Sequence, residues 1–561
     1  MKAISILYGG RLEPEALESL SGQAQSAAGA IDSCSVLKAL EAARSFQGVE
    51  KTVFLGIEGW YKPVLKNIDT VFRPSWTVKS LLDCLSRESA GYDLLYFAWA
   101  DCPLLDPALA AALAERHLRY SAEYSYADGW PYGFAPELLA PGTAGILYKI
   151  LGENDGPVER DTLFEVLKKD INAFDIETEI SPVDLRPYRF TLAADSRRNL
   201  LLLSRMIEAG YTSASAAEAF IREKPEMLRT LPAFFSILVS GDCPQACPLC
   251  PWPKFGSSSA NNSNAGDAGA SSGALAPGKW MPKAAFGELL DKIVDFAGDG
   301  VIDLSLWGEL ALHPEKLDLI QMVFDRPALS LIIETSGIGW TRPELEDIAK
   351  AASLASPRKN HMPPVSWIVS LDAFDPVRYR EVRGAGYGEA KTCAKTLLSL
   401  FPGNAGRDSH GDAYVQAIRV KGSEDDIESF YRSWKGDELP IPASGVIPAR
   451  WTNGSHIIIQ KYDDFAGSLP KLQASDLSPV KRRPCWHILR DMNILLDGTV
   501  VSCREDLGAL AGKGDKPALG NVFSDGLDLI WQKGAALYRE HCVPEYKGIC
   551  ADCDEYYTYN F

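Results

Sequence analysis

The stretch "SGDCPQACPLCPWPKFG", residues 240–256, sets Cys243, Cys247 and Cys250 in a C-x3-C-x2-C spacing. Soft thiolates suit zinc or iron–sulfur centres. Zinc sites usually pair one C-x2-C with a second at a distance, and three thiols do not close a tetrahedral site. They can take three corners of a [4Fe–4S] cube, which leaves one iron open to a small chelating molecule. A structural zinc with a ligand from elsewhere is the alternative. A second thiol set lies near the C-terminus: Cys485, Cys503 and a C-x2-C pair, Cys550 and Cys553, with Cys542 just upstream. Four thiolates can fully ligate one centre, either iron–sulfur or zinc.

The elements that must position these thiols are legible as alternating strands and helices. "AFFSILVSG" reads as a strand running directly into the cysteine loop, and "VIDLSLWGE", "ALSLIIETSG", "VSWIVSLD", "AYVQAIRVKG" and "SHIIIQKY" follow it. Near-continuous apolar strands with helices between them predict a parallel sheet of six strands. Chemistry in such sheets sits at the C-terminal strand ends, where the cysteine loop lies. "FGELLDKIVDFAGDG" puts Phe286, Leu289, Leu290, Ile293 and Val294 on one helical face. "ILLDGTVVSC" reads as a hairpin around Asp497-Gly498. Residues 256–278 are low in complexity and read as a disordered insertion. "KRRP" at 481–484 reads as a solvated loop.

Residues 1–225 form another α/β series. "AISILY", "TVFLGI" and "YDLLYFAWA" are its strands, and "DSRRNLLLLSRMIEAGY" is a helix ended by Gly210. The predicted organisation is therefore 1–225, 226–475 and 476–561.

Across 561 residues the net charge is −17, which argues against a broad basic surface for nucleic acid. No run of 18 apolar residues predicts a transmembrane helix, and the first residues are too quickly polar for a signal peptide. These features point to a cytoplasmic protein. There, twelve cysteines belong with metal rather than with disulfides.

The triad after a first strand resembles the signature of the radical S-adenosylmethionine enzymes. The resemblance implies a partial (β/α)6 barrel and a [4Fe–4S] cluster on Cys243, Cys247 and Cys250. Its open iron would be chelated by S-adenosylmethionine, whose cleavage yields a 5′-deoxyadenosyl radical that abstracts hydrogen from a substrate. "LSLWGELALHP" is similar to the family's Gly-Gly-Glu-Pro segment, with Trp307, Gly308, Glu309 and Leu310 in those places, and implies contact with the cofactor's amino group. "ETSG" at 334–337 is similar to its Thr-Asn-Gly strand end. "VSLDAFDPVRYREVRGAGYG" is similar to the fourth strand, which places Ser370 and Arg383 near the cofactor. The C-terminal block, with its C-x12-G-x4-C opening, resembles a SPASM domain shortened after Cys553. It implies one auxiliary [4Fe–4S] cluster on Cys485, Cys503, Cys550 and Cys553, two clusters in all, and an electron donor such as flavodoxin or ferredoxin.

Residues 1–210 resemble the sugar nucleotidyltransferases of GT-A-like fold. "YDLLYFAWADCPLLDP" is similar to their Asp-x-Pro-Leu segment, so Asp101, with Asp195, would be the magnesium ligands. The triphosphate loop is reduced to Gly9, Gly10 and Arg11 with no lysine before Lys38, which implies a degenerate domain that binds without turnover. The whole arrangement is similar to the spiro-SPASM proteins. It implies a radical enzyme acting on a peptide or protein. The alternatives are a sugar nucleotidyltransferase, or radical modification of a nucleotide sugar or glycoconjugate held by the N-terminal domain.

Overall fold

The computed structural model describes residues 1–18, 20, 34–61, 68–153, 155–252, 280–402, 410–435, 456–474, 481–510 and 516–557. The insertion expected at 256–278 lies outside the described residues. The chain divides into two compact α/β units, Met1–Thr230 and Leu231–Phe561.

In the first unit, β1 (Ala3–Gly9), β2 (Val49–Ile57), β3 (Asp69–Arg73), β4 (Leu94–Trp99), β5 (Tyr124–Asp128), β6 (Glu137–Leu139) and β7 (Ile176–Ile180) form one sheet in the order 3-2-1-4-6-5-7. Strands β1 to β4 pair in parallel, whereas β6 runs antiparallel to both β4 and β5. β1 and β4 are buried along their whole length, as continuous apolar runs covered on both faces must be. The helix expected before Gly210 spans Arg197–Glu208, with Ser196 accepting from the Asn199 N–H as its N-cap. Gly210, at φ +82°, ends it.

In the second unit, β8 (Phe234–Ile237), β9 (Gly300–Asp303), β10 (Leu329–Thr335), β11 (Val365–Ser370), β12 (Asp412–Arg419) and β13 (Ile457–Lys461) are neighbours in sequence order and all parallel. These are the six strands expected. Helices between them cover the outer face. Lys283–Ala297, for example, buries Phe286, Leu289, Leu290 and Ile293, each stabilising by roughly 1.5–3 kcal/mol. Gly298, at φ +84°, caps it.

The C-terminal block continues the same sheet. β14 (Asp491–Ile494) lies parallel beside β8, and β15 (Thr499–Val501) and β16 (Gly520–Asn521) follow antiparallel. The hairpin turns at Gly498, φ +85°, as the Asp-Gly pair predicts. By joining β8, the strand that feeds the cysteine loop, β14 makes the C-terminal block one wall of the barrel. Among the described residues no helix is long and apolar enough to cross a membrane.

Candidate active site

β8 ends in the barrel, and the chain turns at once into the loop carrying Cys243, Cys247 and Cys250. All three line one cavity of about 270 Å³ at the strand ends, together with Trp307, Gly308, Glu309, Ser370 and Arg383. Burial pushes the Cys243 thiol up to about 12 and that of Cys250 to about 11, and raises Cys247. The metal-free thiols therefore stay protonated, and binding metal must release protons. Among the described residues no three His, Cys, Asp or Glu side chains gather as round a single ion. A cube presents its irons at separate corners and needs no such convergence, so the donor set fits a cluster.

The segment after β9 is pressed against this loop. A β-carbon on Gly308 would fall 1.9 Å from the Ser240 carbonyl oxygen, and the Glu309 N–H donates to the Asp242 carbonyl at 2.9 Å. Trp307 takes φ +56°, a conformation that costs a bulky side chain about 1–3 kcal/mol. The place where the resemblance has glycine thus keeps a glycine-like backbone while carrying tryptophan.

Glu309 is buried and held from β10. Thr335 Oγ1 donates to its Oε1 at 2.8 Å, and the Ser336 N–H and Oγ donate to Oε2 at 2.8 and 2.7 Å. Burial raises its pKa against these bonds. Thr335 and Ser336 were not singled out as site residues by sequence, although the "ETSG" segment holds both.

Arg383 follows the helix Pro376–Val382 and turns back to the cysteines. Its Nη1 lies 3.8 Å from Cys247 Sγ, and its guanidinium grips Asp372 at 2.5–2.6 Å. Asp372, at φ +55°, also accepts from the Ile418 N–H at 2.8 Å. Ser370 reaches Glu334 Oε1 at 2.5 Å, and Gln416 Nε2 reaches the same oxygen at 2.8 Å. Asp372, Glu334 and Gln416 are site residues that motif reading missed.

The cavity continues to His487, Arg490, Asp491 and Arg504 of the C-terminal block. There Cys485, Cys503, Cys550 and Cys553 come close enough to raise one another's pKa: Cys550 acts on Cys485, Cys485 and Cys553 act on Cys503, and Cys485 acts on Cys553, in each case behind burial as the larger cause. Cys542 packs with Cys485, Ile488 and Tyr538. Arg482, expected in a solvated loop, instead lies over Tyr546 and Tyr556 at 3.9 and 4.7 Å and donates to the Cys550 carbonyl at 2.5 Å. It ties down the turn that presents the C-x2-C pair.

In the first unit the two predicted magnesium ligands do meet, but on a guanidinium. Arg160 Nη2 donates to Asp101 at 2.6 Å and to Asp195 at 2.9 Å. Its plane is held by Trp99 at 4.6 Å and Tyr132 at 5.1 Å. The resident cation at Asp101 and Asp195 is thus an arginine, which no spacing rule pointed to.

The model of the SPASM family, an iron–sulfur cluster-binding domain, matches residues 485–554. The chain is similar to an uncharacterized protein of Treponema pallidum (strain Nichols), 33% identical over 401 residues that cover 71% of this chain and 98% of that protein. It is similar to the structure of Streptococcus suis SuiB bound to precursor peptide SuiA, at 12% identity over 74% of this chain and 84% of that one, TM-score 0.38. A cytidylyltransferase from Leptospira borgpetersenii serovar Hardjo-bovis is 17% identical over 40% of this chain and 95% of its own, TM-score 0.33. Identity across almost the whole Treponema protein puts both chains in one family, and the thiol triad and matched C-terminal domain make this chain a radical S-adenosylmethionine/SPASM protein.

Proposed function

We propose that the enzyme abstracts hydrogen from a peptide or protein substrate held in the barrel, between the cysteine triad and the C-terminal thiols. The observation that carries this reading is the single cavity lined both by Cys243, Cys247 and Cys250 and by residues flanking Cys485 and Cys503. Cys243, Cys247 and Cys250 would hold the first cluster, and Cys485, Cys503, Cys550 and Cys553 the auxiliary one. Together with S-adenosylmethionine the first cluster supplies one-electron chemistry strong enough to remove hydrogen from carbon.

The chain's own groups do the positioning. Glu309, fixed by Thr335 and Ser336, offers a carboxylate to an ammonium group. Arg383 sets positive charge beside Cys247 and favours an anion there. A peptide is the class that SPASM-bearing enzymes most often modify, and this resemblance supports the choice. Flavodoxin or ferredoxin is the fitting electron donor. A cytoplasmic setting fits twelve cysteines that form no disulfide. The nucleotidyltransferase reading has less support, because Arg160 engages both Asp101 and Asp195.

The test is anaerobic reconstitution followed by reduction with dithionite in the presence of S-adenosylmethionine. About eight irons per chain and formation of 5′-deoxyadenosine are expected. Zinc without iron, or no cleavage with both clusters filled, refutes the proposal.

A further inference from the structure

Side chains along a barrel strand alternate between interior and exterior. Ile332, Ile368 and Ile458, with Phe234, Val301 and Tyr414, gather into one small apolar cluster. Two positions further along the same six strands stand Ser236, Asp303, Glu334, Ser370, Gln416 and Gln460, and all six line the cavity that holds the cysteine triad. The interior therefore changes within one layer from wholly apolar to wholly polar, and this polar layer contains two acids and no base.

The two acids are not equivalent. Both oxygens of Asp303 are engaged, by Ser236 Oγ at 2.8 Å and the Ser305 N–H at 3.0 Å. Glu334 Oε1 takes Ser370 and Gln416 at 2.5 and 2.8 Å. Its Oε2 has no hydrogen bond and no ion pair among the described residues. Among them, none of the cations that share the cavity bonds Glu334: Arg383, although close enough to feel its charge, grips Asp372, and Lys461, Arg490 and Arg504 pair with Glu555, Asp491 and Glu505. A carboxylate clamped on one oxygen and open on the other, inside a barrel, is an incomplete ion pair.

We propose that Glu334 completes this pair with a primary ammonium group of the substrate, of the kind a lysine side chain carries. The assignment rests on reading the barrel cavity as the reaction site. Ser370 and Gln416 are then positioning residues, which fix the carboxylate so that its free oxygen faces the incoming group. Neutral donors suit this task, since a cation at either place would satisfy the charge that the ligand must meet.

The experiment uses the full chain loaded with iron and S-adenosylmethionine, with Nα-acetyl-lysine methylamide and its neutral counterpart Nα-acetyl-norleucine methylamide as probes in calorimetric titration. Wild type is expected to prefer the lysine probe by roughly tenfold or more. E334Q should erase the preference, and E334D should reduce it without abolishing it; E334A replaces E334Q should that variant not retain iron. Equal binding of both probes by wild type, or a preference that survives E334Q, overturns the proposal. So does a loss confined to S-adenosylmethionine affinity, which would give Glu334 to the cofactor's hydroxyls. Failure of wild type to cleave S-adenosylmethionine while the lysine preference holds would instead refute the proposed reaction and leave this site standing.

Discussion

Gly308 and Ser240 touch backbone to backbone: a β-carbon on the glycine would lie 1.9 Å from the serine's carbonyl oxygen. This contact locks the turn after β9 onto the loop that carries the three cysteines. G308A must push the two segments apart, since no flexible side chain is there to yield. We expect it to destabilise the barrel by ~2 kcal/mol or more and to lower iron retention at the triad. Thermal unfolding and iron content of the anaerobically purified variant would check this, and normal values for both would refute the locking role.

Among the described residues Arg160 is the only ion-pair partner of Asp101, whose side chain is 1% exposed. Replacing it with methionine leaves two neighbouring carboxylates facing each other without a counter-ion. R160M should cost ~3–5 kcal/mol, with partial recovery on adding D101N. The same variant should gain affinity for manganese, read by electron paramagnetic resonance, while wild type binds none at this site. Stoichiometric manganese binding by wild type in the N-terminal unit would show that the arginine yields to metal.

The C-terminal thiols make a numerical prediction. C485S or C503S should lower iron by about four per chain and leave the triad's cluster signal intact. C542S should retain about eight: Cys542 packs against Cys485, Ile488 and Tyr538, but the thiol charges acting on Cys485, Cys503 and Cys553 come from one another and from Cys550. Loss of four irons in C542S would place that cysteine among the ligands.

The six strands and the triad were legible in the sequence because apolar runs and thiol spacing are local signals. "ILLDGTVVSC" was legible for the same reason, since Asp-Gly between strands has few other uses. Arg160 was not, because it reaches Asp101 across 59 residues and no pattern in its own loop marks it. Arg482 was misread as solvated because a basic run says nothing of the two tyrosines, 64 and 74 positions on, that receive it. Glu334 lay in plain view within "LIIETSG". Its significance needs the period-two reading of all six strands at once, which turns scattered polar residues into one interior layer. Trp307 is the reverse case: tryptophan stands where the similar segment has glycine, yet the backbone keeps positive φ and Gly308 supplies the close approach.

Glu137, at the start of β6, should make the first unit's stability fall with rising pH. Burial raises its carboxyl to about 7, with the charge of Asp161 adding to the effect and the hydrogen bond from the Tyr124 hydroxyl, at 2.5 Å, opposing it. Between about 4.5 and 7 the folded chain holds a proton here that the unfolded chain has lost. Stability from this group is therefore complete below that window and gone above it, and the total is up to ~3 kcal/mol. His117, which burial lowers to about 4 while its ring bonds Ser125, acts in the opposite sense on the acid side, so the informative quantity is a difference between variants. E137Q keeps an acceptor for Tyr124 and cannot ionise. Relative to wild type it should protect β5 and β6 against hydrogen exchange in the full chain at pH 8 and give no gain at pH 4. An equal gain at both values would mean that the glutamate is opposed by packing rather than by its charge.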